Sequence, residues 1–298
     1  MRGHLAMLLF SGLIAGSFAL GSMAAGEIAP AALTAARFLI ATVIVGAAAL
    51  ATTGVTRQDF AAPWRYLLMG GLLGFYFVMM FEGLKTASPI SSAVVFTLAP
   101  VISAFAGYLL LRQITTMRMA LALMVGAVGA LWVIFDADLR AFMAFKAGRG
   151  EMIYFWGVVA HAVYTPLVRR LNRGESAVVF SFGTLMAATL IVGLFGAGDI
   201  ARTEWAMLPG IVWITLIYVA VFATAITFVL LQYASLRLPS AKVMAYTYLT
   251  PTWVICWEAA LGHGVPGGAI LVGVGLTIVA LGMLLKAEPL IRPDRRPR

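Results

Sequence analysis

Apolar residues fill the chain in stretches of about 20, and short polar or Pro/Gly-containing segments separate them. A helix of about 20 apolar residues crosses the roughly 30 Å hydrocarbon core of a membrane. The longest polar interval, residues 136–151, lies near the middle of the chain, so no soluble domain is expected. The pattern predicts ten membrane-spanning helices, at about 5–24, 32–53, 64–84, 89–111, 117–135, 152–170, 177–197, 208–234, 239–262 and 267–286.

The composition supports this reading. Of the 298 residues, 62% are hydrophobic and 11% are charged, whereas soluble domains carry about 25% charged residues. The mean hydropathy is +0.98, so most of the chain must face lipid or other apolar helices. The single cysteine, Cys256, excludes an intramolecular disulfide.

The positive charges indicate the orientation of the chain. The net charge is +9, but the cations are scattered among short loops, which argues against a nucleic-acid surface. If the N-terminus is cytoplasmic, fifteen of the 21 Lys and Arg residues lie on the cytoplasmic side, five lie outside and Arg37 lies within the second span. Cytoplasmic loops of membrane proteins are enriched in Lys and Arg. We therefore expect a multi-pass protein of the bacterial inner (cytoplasmic) membrane with both termini cytoplasmic.

The two halves of the sequence resemble each other. The segment 87–93 before the fourth span is similar to 236–241 before the ninth, and Pro100 and Pro251, 151 positions apart, close the aromatic stretches that follow. Because each half contains five spans, an odd number, the second half must insert upside down. The prediction is an all-α membrane fold of two inverted five-helix repeats, 1–140 and 141–288, followed by a basic tail, 289–298. Such repeats place a solute site in a central cavity near the membrane midplane.

Candidate solute-binding residues are aromatic, sulfur-containing and small polar side chains deep in the third, fourth, sixth and ninth spans. Spacing of four residues puts Tyr76 and Met80 on one helix face, and Ser92 and Phe96 on another. Aromatic rings with small polar groups between them suit an amphipathic organic solute, and they equally suit plain helix packing. The candidate set is Tyr76, Phe77, Met80, Ser92, Phe96, His161, Tyr164 and Tyr248.

Two prolines are candidate hinges. Pro100 and Pro251 lie inside the fourth and ninth spans, where proline removes a backbone hydrogen bond. They form either static kinks or bends that let half a helix move, and their matching positions favour the second. No Asp or Glu lies at mid-depth, so we expect facilitated transport without ion coupling.

Signatures of enzymes are absent from the sequence. It contains no HExxH motif, no Walker loop and no plausible Ser/His/Asp set. We therefore expect no catalytic residue, no metal site and no cofactor.

Several motifs resemble those of the drug/metabolite transporter superfamily, specifically its EamA family. They are Ala35-Ala36-Arg37-Phe38-Leu39 in the second span, the proline-containing stretches ending at Pro100 and Pro251, and Trp156…Tyr164…Arg169-Arg170-Leu171 in the sixth. The resemblance covers nearly the whole chain. One departure is that the Gly-Glu pattern that commonly ends the fourth and ninth spans is replaced by Arg112-Gln113 and Gly262-His263. A role given to that glutamate cannot be carried over.

Within that family the chain looks most similar to the YddG-type aromatic amino-acid exporters. The resemblance implies export of aromatic amino acids, and of aromatic or cationic xenobiotics, by alternating access. The expected partners are a small solute and membrane lipid, with a monomeric protein and no nucleic acid. Two alternatives stay open: an exporter of another metabolite or drug with the same fold, and a membrane-embedded enzyme or lipid-handling protein.

Overall fold

A computed structural model of the chain describes residues 2–134 and 148–286. The repeat boundary predicted between residues 140 and 141 lies outside the described residues, as does the predicted basic tail, 289–298.

The described residues are mainly helical, and the helices begin and end within a few residues of the predicted spans. In chain order they are α1 (Arg2–Ala24), α2 (Pro30–Thr52), α3 (Trp64–Gly83), α4 (Pro89–Phe96), α5 (Ala99–Leu111), α6 (Met117–Ile134), α7 (Arg149–Leu171), α8 (Ala177–Phe195), α9 (Ala197–Arg202), α10 (Gly210–Ala220), α11 (Thr227–Ser235), α12 (Ser240–Ala245), α13 (Thr250–Ala260) and α14 (Gly268–Lys286). A π-helical segment, Val221–Ile226, joins α10 to α11, and a 3-10 turn, Tyr246–Leu249, joins α12 to α13.

Seven helical stretches within the described part of the chain are long and apolar enough to cross a membrane. Two of them are composite, because α4 with α5 and α10 with α11 each count as one stretch. The prediction of an all-helical membrane protein is confirmed in this coarser form. The number of ten spans stays a prediction.

Local sequence explains where several helices begin. Pro30 and Pro89 occupy the first positions of α2 and α4, where the missing N–H of proline costs nothing. The hydroxyl of Ser88 accepts a hydrogen bond from the amide of Ser91 at 3.1 Å, and Ser176 caps α8 in the same way. These caps satisfy amides that the helix itself leaves unpaired.

The fourth and ninth predicted spans are broken close to their prolines. Thr97 and Leu98 separate α4 from α5, and Pro100 is the second residue of α5. Pro251 is likewise the second residue of α13, directly after the 3-10 turn. A proline in the first helical turn loses no intrahelical bond there. The two prolines therefore mark matching interruptions, and their role as hinges stays a prediction.

Helices from the two halves of the chain pack against each other throughout the interior. α3 contacts α7 and α8, α2 contacts α8, α5 contacts α7 and α12, and α6 contacts α14. α1 contacts α10, α11 and α13. Close approach depends on glycine in places: a Cβ at Gly70 would lie 2.5 Å from the backbone nitrogen of Ala188, so only glycine allows α3 and α8 to pack at this distance.

Candidate functional site

Aromatic rings from α1, α3, α4 and α7 meet in the buried interior. The ring of His161 lies 4.4 Å from that of Tyr76, with an angle of 28° between the planes, and 5.4 Å from that of Phe96. Tyr164 is nearly parallel to His161, with 6.1 Å between centroids. Offset and tilted pairs at these distances are the favoured geometries of aromatic contacts. We call the group the ring cluster: Phe18, Tyr76, Phe77, Phe96, Tyr154, His161 and Tyr164.

The positions of the α7 residues follow from helical periodicity. Tyr154, His161 and Tyr164 are separated by seven and three residues, so they lie on one face of α7. Gly157 lies on the same face, and a Cβ there would come within 2.9 Å of the carbonyl oxygen of Tyr76. The missing side chain at Gly157 thus lets α3 approach closely enough for Tyr76 to stack on His161.

Polar atoms in and beside the ring cluster are only partly paired. The hydroxyls of Tyr76 and Tyr154 are 3.2 Å apart, and Nε2 of Gln232 donates to the hydroxyl of Tyr164 at 2.8 Å. Three buried polar atoms have no hydrogen-bond partner within the described residues: Nδ1 and Nε2 of His161, and Oε1 of Gln232. An unpaired buried polar atom costs about 1–3 kcal/mol. These atoms are therefore available to a bound solute or to water.

The predicted site residues divide into three groups. Tyr76, Phe77, Phe96, His161 and Tyr164 come together in the ring cluster. Met80 and Ser92 are buried one turn from members of the cluster, on α3 and α4. The eighth residue, Tyr248, belongs to a different cluster.

Tyr248 lies outside the ring cluster. Its ring occupies the space beside Gly126 of α6, where a Cβ would clash with it, and its carbonyl accepts a hydrogen bond from Thr277 of α14 at 3.0 Å. It belongs to a second apolar cluster formed with residues of α6 and α14. The absent side chain at Gly126 is the physical reason, because it leaves a slot of the right size for the ring.

Sequence reasoning did not select three residues that contact the core of the site. Phe18 of α1 packs against Phe96 and Tyr154 at about 6 Å between centroids, and Gln232 of α11 bonds Tyr164. The signal for Gln232 was available: an amide in an otherwise apolar span must find a partner. Phe18 and Tyr154 carried no comparable signal, since phenylalanine or tyrosine occurs in most of the predicted spans.

Arg37 of α2 is fully buried and reaches α10 and the π-helical segment. Its Nε and Nη2 donate to Oγ1 of Thr224 at 3.0 and 2.7 Å. Nη2 also lies 3.3 Å from the carbonyl oxygen of Val219 and 3.2 Å from that of Ala223. Its guanidinium carbon lies 3.8 Å from the centroid of Phe77. An arginine in a membrane span is expected to reach the membrane interface or to pair with a carboxylate. Arg37 is instead fully buried, and none of the salt bridges within the described residues includes it.

Comparison with known proteins gives three findings. The sequence model of the EamA-like transporter family matches residues 1–135 and 148–286. The chain is 22% identical over 287 residues to a protein of Bacillus subtilis (strain 168) described as "Uncharacterized transporter YyaM", covering 94% of this chain and 92% of that one. It also resembles a chain of known crystal structure with a TM-score of 0.72 and 22% identity over 95% of each chain, a likeness that concerns the fold alone.

Proposed function

The chain belongs to the EamA-like transporter family, and from this premise we propose that it exports small organic solutes, with aromatic amino acids as the principal class. The protein is a transporter and not an enzyme, as the family and the description of its relative indicate. The observation that carries the proposed solute class is the ring cluster, in which stacked aromatic rings lie beside polar atoms that have no hydrogen-bond partner in the described part of the chain. An aromatic amino acid offers a ring for the first and hydrogen-bonding groups for the second.

The proposed architecture is a basket of ten spans in two inverted repeats, 1–140 and 141–288. The pattern of helix contacts supports it. In such a fold, spans one to five correspond to spans six to ten. The contact of α3 with α7 then corresponds to the contact of α10 and α11 with α1. In the same way, the contact of α5 with α7 corresponds to that of α13 with α1. The contacts of α2 with α8 and of α6 with α14 map onto themselves. A two-fold axis in the membrane plane would produce this pattern.

We expect both termini and the segment between α7 and α8 to face the cytoplasm of a bacterial cell, because of the distribution of Lys and Arg. In a Cys256→Ser background, an added Asn172→Cys should react with an impermeant thiol reagent only after the membrane is opened. Gly198→Cys, in α9 after α8, is the matched control and should react in intact cells. The reverse pattern would contradict the proposed orientation.

Transport is proposed to be facilitated by the solute gradient alone. This expectation rests on the sequence, which places no Asp or Glu at mid-depth in a predicted span that could carry a coupling proton or sodium ion. Purified protein in liposomes should exchange labelled phenylalanine for unlabelled phenylalanine with no pH or sodium gradient. Absence of exchange with every aromatic amino acid would contradict the solute class, and strict dependence on an imposed gradient would contradict the mechanism.

Loss of one ring of the cluster should weaken solute binding several-fold. A stacked aromatic pair contributes about 1 kcal/mol beyond its buried area. Tyr76→Ala and Phe96→Ala should therefore each raise the Kd for phenylalanine several-fold. Binding is measured by isothermal titration in detergent. The matched control is Phe105→Ala, which removes an exposed ring from α5 and should leave Kd unchanged. If all three variants bind phenylalanine with the Kd of the parent protein, Tyr76 and Phe96 do not contact the solute.

A further inference from the structure

Arg37 is a buried cation with no carboxylate beside it. It has no exposed surface, and the salt bridges within the described residues join Arg65 to Glu175, Lys85 to Glu82 and His263 to Glu258. The partners of Arg37 are a threonine hydroxyl and two backbone carbonyls. These neutral dipoles satisfy hydrogen bonds without cancelling the charge. An uncompensated charge inside a membrane protein is costly and usually serves a function.

The hydrogen bonds of Arg37 use only one side of the guanidinium. Nε and Nη2 are occupied by the π-helical segment and the end of α10, whereas Nη1 is buried and has no partner within the described residues. The ring of Phe77 covers a face of the guanidinium. Because the N–H bonds of a guanidinium lie in its plane, that stacking leaves the N–H groups of Nη1 free to donate.

Arg37 contacts the ring cluster through Phe77, which is a member of it. Phe77, which stacks on the guanidinium at 3.8 Å, contacts Tyr76 with 4.5 Å between centroids. Tyr76 in turn stacks on His161. Two ring contacts therefore connect Phe77, and with it the cation, to His161 at the centre of the proposed solute site.

We propose that Nη1 of Arg37 binds the carboxylate of the transported solute, which makes aromatic carboxylates the substrate class of this site. The inference rests on the proposed function, because it takes the ring cluster as the place where the solute ring binds. A carboxylate supplies both missing elements, an acceptor for Nη1 and a negative charge. Charge-assisted hydrogen bonds of this kind are the strong ones in proteins.

The test compares ligands that differ only in the carboxylate. Binding of phenylalanine and phenethylamine is measured to the parent protein, to Arg37→Gln and to Arg37→Lys. Leucine and isoamylamine form the same pair without an aromatic ring. Lys85→Gln, which removes a positive charge from an exposed pair, is the control for net charge. The readout is the ratio of the two Kd values within a pair, which does not depend on how much of a variant is correctly folded.

The parent should bind phenylalanine at least about tenfold more tightly than phenethylamine, the size expected for a hydrogen bond to a charged group. Lys85→Gln should keep this ratio, Arg37→Lys should keep part of it, and Arg37→Gln should abolish it. An unchanged ratio in Arg37→Gln would overturn the inference and assign Arg37 to holding the π-helical segment, without touching the proposed function.

Other results separate the two proposals. If the parent discriminates the carboxylate only in the leucine pair and loses that discrimination in Arg37→Gln, the bond from Arg37 to the carboxylate stands, but the aromatic substrate class is wrong in both proposals. A parent that binds none of the carboxylates would overturn both.

Discussion

Replacing Glu175 with leucine should lower the free energy of unfolding by about 3 to 5 kcal/mol, because it leaves a buried guanidinium without its counter-charge. Nη2 of Arg65 lies 2.7 Å from Oε1 of Glu175, and the two side chains are 1% and 5% exposed. Nη1 of Arg65 also donates to the carbonyl of Leu171 at 2.6 Å, and Nη2 lies 3.3 Å from that of Asp59. The pair therefore fastens the start of α3 to the segments before it and after α7.

The chain offers a matched control for this substitution. Glu82 and Lys85 form an ion pair of the same length, 2.7 Å, but their side chains are 40% and 36% exposed. Exposed pairs contribute about 1 kcal/mol or less, so Glu82→Leu should change stability little. Unfolding of purified protein in detergent, followed by circular dichroism, measures both variants. If Glu175→Leu lowers the free energy of unfolding as little as Glu82→Leu does, another group compensates the charge of Arg65 when Glu175 is removed.

The same ion pair makes stability depend on pH. Burial alone would raise the pKa of Glu175, but hydrogen bonds from Arg65 and from the amide of Arg173 outweigh it and lower the pKa below its usual 4.5. A carboxyl with a lower pKa in the folded state stabilises the protein above its unfolded pKa and loses that contribution as pH falls through the folded one. Stability should therefore decline below about pH 4.5, and Glu175→Leu should remove this part of the decline.

The sequence predicted the helices well because membrane spans follow from a strong signal. A run of apolar residues has few alternatives in a membrane, where every backbone group must be paired within a helix. The prolines also indicated where α4 gives way to α5. The π-helical segment at 221–226 was not predictable, because its residues are ordinary apolar ones and its widened turn is matched to a distant side chain, that of Arg37.

The ring cluster was predicted less completely than the helices, for a physical reason. Periodicity shows which residues share a face of one helix, such as His161 and Tyr164 of α7. It does not show which faces meet, and these depend on close contacts such as that of Gly157 with Tyr76. Tyr248 illustrates the limit. Its position deep in the ninth predicted span made it a candidate, but the slot beside Gly126 that holds its ring is visible only in the three-dimensional structure.

The double variant Pro100→Ala with Pro251→Ala should slow solute exchange by about tenfold or more while leaving the protein folded. An alanine amide at either position can donate to the carbonyl four residues earlier, and only a straight helix forms that bond. Each bond contributes about 1 kcal/mol, so two would shift the balance between bent and straight conformers by roughly 30-fold. A change that favours one conformer over another slows any cycle that needs both.

Pro166→Ala is the matched control, because Pro166 lies inside α7, which runs without a break from Arg149 to Leu171. A bond gained there stabilises every conformer equally, so the exchange rate should stay at that of the parent. The initial rate is measured in liposomes at saturating phenylalanine, and Kd separately, so that slower movement is distinguished from weaker binding. If the double variant exchanges solute at the parent rate, the breaks at α4–α5 and α12–α13 are static features of packing. If it is slower and Pro166→Ala is not, the bending of these two helices limits transport, since the third proline differs from them mainly in lying within an unbroken helix.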